Sequence, residues 1–332
     1  MILYKGQQPR HLLLFVFLAL LPAILSLVTG CFAAPKERID QKKAHPSQNT
    51  QADQEKTPDK SDVLPVLRLS TTTIAPGDIF ILYLEHATKN DVLEFHTSFA
   101  EKNPLFFDYP AGKMAILGVN YRTVPGEYYV QTKLSRNGET ILNARKTVLV
   151  TPKEFPAQFL RVTQTQQAMR CDKLWQEDRV HIIRARSSTA PMPLWQGAFL
   201  MPVEGRISTG FGVFRYINNI ESGRHSGIDI AAPAGTPIKA ANRGLVTLSK
   251  SLNVVGKTVI IDHGLNLYSA YSHLNRLLVE EGALVEKGDI IGEVGSTGFS
   301  TGPHLHWTIS VGSVFVNPWL FLAEDPLLRH SD

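Results

Sequence analysis

The segment STGPHLHW, residues 300–307, places two histidines in a short predicted strand directly after a Gly-Pro turn. Successive side chains of a strand point to opposite faces, so His304 and His306 share a face while Leu305 points to the other. The α-carbons of the two histidines would lie about 7 Å apart. Either both imidazoles bind one metal ion, or one binds it while the other acts on a bound water. Two surface histidines on an edge strand are the alternative without chemistry.

A second polar segment, GRHSGIDIAAPAGTP at residues 223–237, carries His225 and Asp229 four positions apart. Four residues of regular strand span about 13 Å, which is too far for both side chains to touch one metal ion. The Ser226-Gly227 pair permits a bend that brings the two side chains together. Imidazole nitrogen and carboxylate oxygen are both zinc donors, so the pair is a candidate for half of a metal site.

Five of the eleven histidines lie between residues 194 and 323. Besides the three above, His273 falls near the end of a predicted strand, and His263 falls in an Asp-His-Gly segment that predicts a turn. Tyr271 could either line a groove or fill the core. Arg224 stands next to His225, and we expect it to contact substrate or neighbouring side chains rather than a metal ion.

The rest of the chain divides by composition into segments of different character. Residues 63–152 contain short β-branched and aromatic runs separated by the turn signals APGD, YPAGK, VPGE and RNGE, which predict an immunoglobulin-like β-sandwich. Residues 153–193 include a stretch without Gly or Pro and predict a linker of one or two helices. Residues 194–323 are again strand-rich and dense in glycine, and residues 324–332 form a tail. The predicted fold class is therefore mostly β.

The first 62 residues predict export from the cytoplasm. Residues 1–34 combine a basic start, an apolar run and a small-residue exit, which is typical of an export signal. The stretch VTGC ending at Cys31 resembles a bacterial lipobox, in which the cysteine is lipidated. An uncleaved membrane anchor is the second interpretation, since a span needs about 20 apolar residues; cleavage after Ala34 is disfavoured by Pro35. Residues 35–62 are polar and predict a disordered tether.

These features favour a membrane-anchored protein of the cell envelope, on the periplasmic or cell-surface side. Cys171 is the second of only two cysteines, so a lipidated Cys31 leaves no intramolecular disulfide, and we expect Cys171 to be a buried small hydrophobe. The formal net charge is only +4 over 332 residues, with no run of Lys and Arg, which argues against a nucleic-acid partner.

Taken together, four segments resemble the lysostaphin/LytM-type zinc metallopeptidases, which cut peptide bonds in peptidoglycan. The segments are GRHSGIDIAAPAGTPIKA, VIIDHG, AYSHL and GSTGFSTGPHLHW, and the resemblance covers residues 197–322. It implies a domain built on an antiparallel sheet with a duplicated hybrid motif, a Zn²⁺ cofactor and peptidoglycan as the substrate. The upstream β-sandwich is similar to an amino-terminal module of exported members.

The resemblance also implies roles for individual residues. His225, Asp229 and His306 would be the zinc ligands, and His273 and His304 the catalytic pair. Three protein ligands leave a fourth position for water, as a catalytic rather than a structural zinc requires. The chain is thus predicted to be a metalloendopeptidase that acts on stem peptides or cross-bridges during cell-wall remodelling.

Two other functions compete with this prediction. A non-catalytic protein that binds peptidoglycan or activates an amidase could use the same fold, but the complete set of five residues argues against it. The segment VEEGALVEKGDIIGEVGSTG, residues 279–298, looks like part of a biotinyl or lipoyl carrier domain, yet its EVGSTG hairpin lacks the acceptor lysine.

Overall fold

A computed structural model describes residues 63–99, 104–168 and 171–328 of the chain. The predicted export signal, the lipobox cysteine Cys31 and the tether lie outside these residues. Within the described ranges, the helices are too short or too polar to cross a membrane.

Eight strands between residues 66 and 150 form two four-stranded sheets. One sheet has the order β1-β3-β6-β5 and the other the order β2-β8-β7-β4. A buried cluster that includes Phe80, Leu82, Val130 and Val148 fills the space between them, so this region is a β-sandwich. An immunoglobulin-like topology stays a prediction. The strands are β1 Val66–Leu69, β2 Thr73–Ile74, β3 Ile79–Glu85, β4 Val92–Thr97, β5 Phe107–Tyr109, β6 Gly112–Gly118, β7 Gly126–Arg136 and β8 Glu139–Val150.

The segment after the sandwich contains a short strand, β9 Ala157–Leu160, and two helices, α1 Gln164–Ala168 and α2 Asp172–Ala185. Helix α2 is fixed by Asp178, a fully buried residue whose carboxylate accepts hydrogen bonds from the backbone N–H groups of Asn253, Val254 and Val255 at 2.7 to 3.2 Å. A buried carboxylate needs such donors to offset its lost hydration. The helix is thereby held against the loop 253–255.

The prediction that Cys171 is buried is wrong. Cys171 occupies the N-cap position of α2 and its side chain is exposed. The apolar residues of α2 that do meet the sheet, Ile182 and Ala185, lie near the other end of the helix and pack with Leu248 and Tyr268. The thiol stands at the start of the helix, away from this contact.

The remaining strands build a long sheet with the order β10-β13-β21-β17-β16-β15-β19, in which all neighbours are antiparallel and β22 also pairs with β21. Two three-stranded sheets, β12-β11-β9 and β14-β20-β18, flank it. The elements are β10 Arg206–Thr209, β11 Phe214–Ile217, β12 Ile220–Arg224, β13 Ile228–Ala231, β14 Pro237–Lys239, β15 Gly244–Ser251, β16 Lys257–Asp262, β17 Leu267–Leu274, β18 Arg276–Leu277, β19 Leu284–Val285, β20 Ile290–Glu293, β21 His304–Val311, β22 Val314–Val316 and α3 Trp319–Ala323.

The two faces of the long sheet have different character along β21. Leu305, Trp307 and Ile309 are fully buried in the larger apolar cluster. His304 and His306 alternate with them and therefore lie on the opposite face, as the two-residue period predicts. Tyr271 belongs to the core: its ring is fully buried and its hydroxyl accepts a hydrogen bond from the backbone N–H of Ala241 at 2.8 Å.

The sandwich and the long sheet share one apolar cluster. Ile79, Ile81 and Ile116 of the sandwich belong to the same buried group as Phe211 and Val316. A backbone hydrogen bond of 2.8 Å from Asn317 to the carbonyl of Gly77 adds to the contact. The sandwich therefore packs directly on the part of the chain that carries the histidines.

His263 is a fully buried part of the fold beside the long sheet. Its Nδ1–H donates to the carbonyl of Arg243 at 2.8 Å, and its Nε2 lies 2.7 Å from the hydroxyl of Ser269. Burial lowers the pKa of His263 to about 4. The imidazole is thus neutral in the folded protein at neutral pH, in a structural position at the end of β16.

We predict that His263 makes the fold sensitive to acid. Between pH 6.5 and 4 the unfolded chain takes up a proton that the folded chain does not, so the free energy of unfolding falls as the pH falls, by up to about 3 kcal/mol from this residue. Urea unfolding at several pH values measures the effect. His263→Gln should flatten the dependence, whereas the exposed-site control His96→Gln should not; equal slopes in all three proteins would contradict the assignment.

Candidate metal centre

The bend between β12 and β13 brings His225 and Asp229 together. Gly227 lies so close to β21 that a Cβ at this position would stand 2.1 Å from the carbonyl oxygen of Trp307, which leaves room for glycine alone. The chain turns here, and His225 Nε2 reaches Asp229 Oδ1 at 2.8 Å. The close approach of Gly227 explains how four residues span less than a regular strand would.

Strand pairing supplies the third donor. β13 runs antiparallel to β21 with Asp229 directly opposite His306. His306 Nδ1 lies 2.7 Å from Asp229 Oδ1 and 2.9 Å from His225 Nε2. The three donor atoms thus form a small triangle in the part of the chain that the structure describes.

The donor set fits a zinc ion by its chemistry. Two imidazole nitrogens and one carboxylate oxygen are usual zinc ligands, at about 2.0–2.2 Å from the metal. Donors on a tetrahedron of that size stand about 3.3 Å apart, so these atoms need to separate by only about half an ångström. The Nδ1–H of His225 donates to the carbonyl of Gly210 at 2.8 Å, which fixes the ring and turns the Nε2 lone pair toward the triangle.

His304 and His273 lie beside this triangle. The two ring centroids are 4.9 Å apart, and His304 Nε2 is 3.8 Å from Asp229 Oδ1. Each Nδ1–H donates to a backbone carbonyl at 2.8 Å, that of Gly302 for His304 and that of Thr297 for His273. Because carbonyl oxygens only accept, Nε2 of each ring is the unprotonated nitrogen of the neutral form.

A bulge in β17 brings His273 to the same face as the other histidines. Regular alternation would place Ser272 on this face and turn His273 into the core, where Tyr271 and Leu274 lie. Instead, His273 has φ 67°, and the pairing with β16 shifts register at this point. Both Ser272 and His273 then line the groove beside the metal triangle.

Burial keeps three imidazoles of the site neutral. It lowers the pKa of His225 to about 4 and that of His273 to about 3, and it also lowers the pKa of His304. For Asp229, burial raises the pKa, but interaction with the adjacent ring nitrogens of His225 and His306 outweighs burial and holds the pKa well below the usual range. At neutral pH the site therefore presents the Asp229 carboxylate and the neutral rings of His225, His273 and His304, and metal binding requires neutral imidazole and ionised carboxylate.

Arg215 is a site residue that the sequence did not indicate. It lies on β11, and one guanidinium nitrogen is 2.6 Å from Asp229 Oδ2. This oxygen is the one that faces away from the two histidines, so Arg215 holds the carboxylate with Oδ1 in the triangle. A strand arginine ten positions before His225 gives no pattern of spacing; the contact depends on the packing of the β11-β12 hairpin. Arg224 contacts neighbouring residues, as the sequence predicts: its guanidinium lies over the ring of Phe214 at 4.0 Å, and it donates to the backbone carbonyl of Tyr121.

An antiparallel sheet that holds two histidines and an aspartate around one point, with two more histidines alongside, defines the LytM type of metallopeptidase domain. Residues 223–318 match peptidase family M23, and this region is called the M23 domain. The structure is similar to the crystal structure of a protein assigned to peptidase M23 from Pseudomonas aeruginosa. The alignment covers 75% of this chain and 94% of that protein's chain, with 26% identity and a TM-score of 0.51.

Relatives of known name match the same region. The chain is 40% identical over 128 residues to the DD-carboxypeptidase/endopeptidase Mpg of Neisseria meningitidis serogroup B, which is 38% of this chain and 29% of the relative. It is 44% identical over 94 residues to the peptidoglycan DD-endopeptidase ShyC of Vibrio cholerae, 28% of this chain and 22% of the relative. The chain thus spans less than a third of the length of these relatives.

We predict that Arg215 strengthens metal binding by positioning Asp229. Loss of a hydrogen-bond partner behind a metal ligand typically weakens metal affinity about 10- to 100-fold, so Arg215→Gln should weaken zinc binding by that factor. The zinc affinity of Arg215→Lys should lie between those of the native protein and Arg215→Gln. Competition with a chromogenic chelator measures the affinity. The exposed-site control Arg276→Gln removes the same charge and should change little. A rise in affinity for Arg215→Gln would mean that charge repulsion outweighs positioning.

Proposed function

We propose that this chain is a zinc-dependent endopeptidase that hydrolyses peptide bonds in the stem peptides or cross-bridges of peptidoglycan. The observation that carries the proposal is the convergence of His225, Asp229 and His306 on one point, with His273 and His304 next to it. The names of the relatives, which include a peptidoglycan DD-endopeptidase, support the substrate class.

His225, Asp229 and His306 are the residues that would hold the zinc ion. When bound there, zinc lowers the pKa of a water ligand toward about 7 and polarises the carbonyl of the peptide bond. Arg215 keeps Asp229 in place through the oxygen that does not face the metal triangle.

His304 and His273 provide proton transfer and hydrogen bonding in this proposal. Each ring is held by its Nδ1–H, and each neutral ring has Nε2 available to accept a proton at neutral pH. Once protonated, an imidazole can hydrogen-bond a developing oxyanion or protonate the leaving amine. Because burial lowers the pKa of both residues, the unprotonated forms persist below pH 6.5.

Mass spectrometry of purified peptidoglycan incubated with the protein tests the activity. The native protein should release fragments in which each cut bond has gained one water, and chelation of the metal should stop the release. His304→Ala should lower the rate about 100- to 10,000-fold while zinc stays bound, since the removed group is outside the triangle. His225→Ala should lose both the metal and the activity.

A non-catalytic wall-binding or amidase-activating protein gives a different result in the same experiment. It would sediment with peptidoglycan and release nothing, and a chelator would have no effect on the fragments. Release that continues at full rate in His304→Ala, or in the presence of chelator, would also overturn the proposal.

We further propose that the protein works at the cell envelope, anchored to the membrane through lipidated Cys31 or through an uncleaved apolar segment. The polar stretch 35–62 would then act as a tether between membrane and enzyme. Metabolic labelling with a fatty-acid analogue should mark the native protein but not Cys31→Ser. Equal labelling of both would contradict lipidation, and an unlabelled protein in the membrane fraction would favour the uncleaved anchor.

A further inference from the structure

A groove of about 330 Å³ extends from the metal triangle along the outer face of the long sheet. Its floor includes Thr308 of β21 and Ala270 of β17, which are directly paired neighbours. One wall is helix α2, with Trp175 and Ile182, and Arg122 of the sandwich lies on the lining as well. A second groove of about 220 Å³ shares His273 with the first, so the two meet at the site.

Polar groups without partners follow one another along this face. His306, Thr308 and Ser310 alternate on β21, and the hydroxyls of Thr308 and Ser310 are buried with no hydrogen-bond partner among the described residues. At the rise of a strand, Ser310 lies about 13 Å from His306 and Thr308 about halfway. Buried hydroxyls normally find partners, and Thr308 lines the groove, so its unpaired hydroxyl points to a polar ligand there.

Arg186 lies near the far end of this row. Its guanidinium lies over the ring of Phe315 at 5.1 Å, and Phe315 is the residue paired with Ser310. The Nε atom of Arg186 is buried without a hydrogen-bond partner, and the side chain has no ion pair among the described residues. Burial lowers the pKa of Arg186 to about 10, which leaves it charged at neutral pH. A partly buried cation with no counter-charge favours an anion in the adjacent groove.

The charge of the whole groove has one sign. Four arginines line it, and no aspartate or glutamate does so among the described residues. Arg215 is neutralised by Asp229, and Arg224 lies over Phe214 and donates to Tyr121. Among the described residues, Arg186 and Arg122 have no carboxylate partner, and Arg186 is the one that is partly buried.

We propose that Arg186, together with the hydroxyl of Thr308, forms a subsite for a carboxylate group of the peptide substrate. The inference rests on the proposed function for the identity of the substrate. An extended peptide rises about 3.3 Å per residue, so a group about 10–13 Å from His306 belongs to a residue three or four positions from the cut bond. The subsite lies on the segment that links the sandwich to the M23 domain, and it gives that segment a part in choosing the substrate.

Peptide binding to the catalytically impaired His304→Ala protein tests the subsite without requiring turnover. Two synthetic cross-linked stem peptides are used that differ in one group, a free carboxylate or a carboxamide three or four residues from the cross-link. Trp175 in the groove wall serves as the fluorescent reporter. We expect the carboxylate peptide to bind about 10- to 100-fold more tightly, as for a hydrogen-bonded ion pair.

Variants then assign the preference to Arg186. When it is added to His304→Ala, Arg186→Gln should bind both peptides with the affinity that His304→Ala has for the carboxamide peptide. Thr308→Val, added in the same way, should lose part of the preference for the carboxylate peptide. Arg184→Gln is the matched control, since it removes the same charge from an exposed position in the last turn of α2, two residues before Arg186, and it should keep the full preference. Thermal unfolding of each variant separates loss of binding from loss of fold.

Equal binding of the two peptides by the parent protein would overturn the subsite, as would a preference that survives Arg186→Gln. Cleavage of the same peptides by the native protein provides a separate readout. A protein that binds with the expected preference but cuts neither peptide would contradict the proposed function and leave the subsite standing. A protein that cuts both peptides at equal rates and binds them equally would support the proposed function and contradict the subsite.

Discussion

The antiparallel pairing of β13 with β21 is the constraint on which the site depends. It sets Asp229 opposite His306, and a shift of one residue in this register would turn His306 into the core and Trp307 out of it. The fully buried Trp307 and Leu305 therefore fix the position of the histidines as firmly as any contact within the site. Burial of the apolar side chains thus fixes the register between β13 and β21, and this register brings the donor atoms together.

Electrostatics at the site follow from the same burial. The rings of His225, His273 and His304 are unprotonated because little water reaches them, while Asp229 stays ionised because His225, His306 and Arg215 surround its two oxygens. A cation is thus the ligand that this arrangement is suited to receive. The long groove beside it carries the opposite preference, since its unpaired charges are arginines. One face of the sheet offers a metal position and, in the groove that continues past Thr308 toward Arg186, the proposed anion position.

The mostly β fold and the alternation of side chains along β21 could be predicted from the sequence, because a two-residue period depends only on local geometry. The sequence also marked the bend at Ser226-Gly227, although not its cause, the approach of Gly227 to the backbone of Trp307. His273 was recognisable only through resemblance, since a bulge breaks the alternation that would have placed it in the core. Arg215 and Arg186 were invisible to periodicity, as their contacts join segments far apart in the chain. Cys171 was misjudged because its residue type suggests burial while its helix-cap position exposes it.

The shared apolar cluster leaves no free space between the sandwich and the M23 domain at Gly118. β22 is the neighbour of β21, and its Val314 and Val316 lie against Gly118 of the sandwich so closely that a Cβ at position 118 would stand 2.9 to 3.0 Å from their methyl groups. A single methyl group added to the sandwich would thus press on a strand that borders the one carrying His304 and His306. Volume added at this contact would have to be taken up either by the sandwich or by β22, one strand away from the histidines.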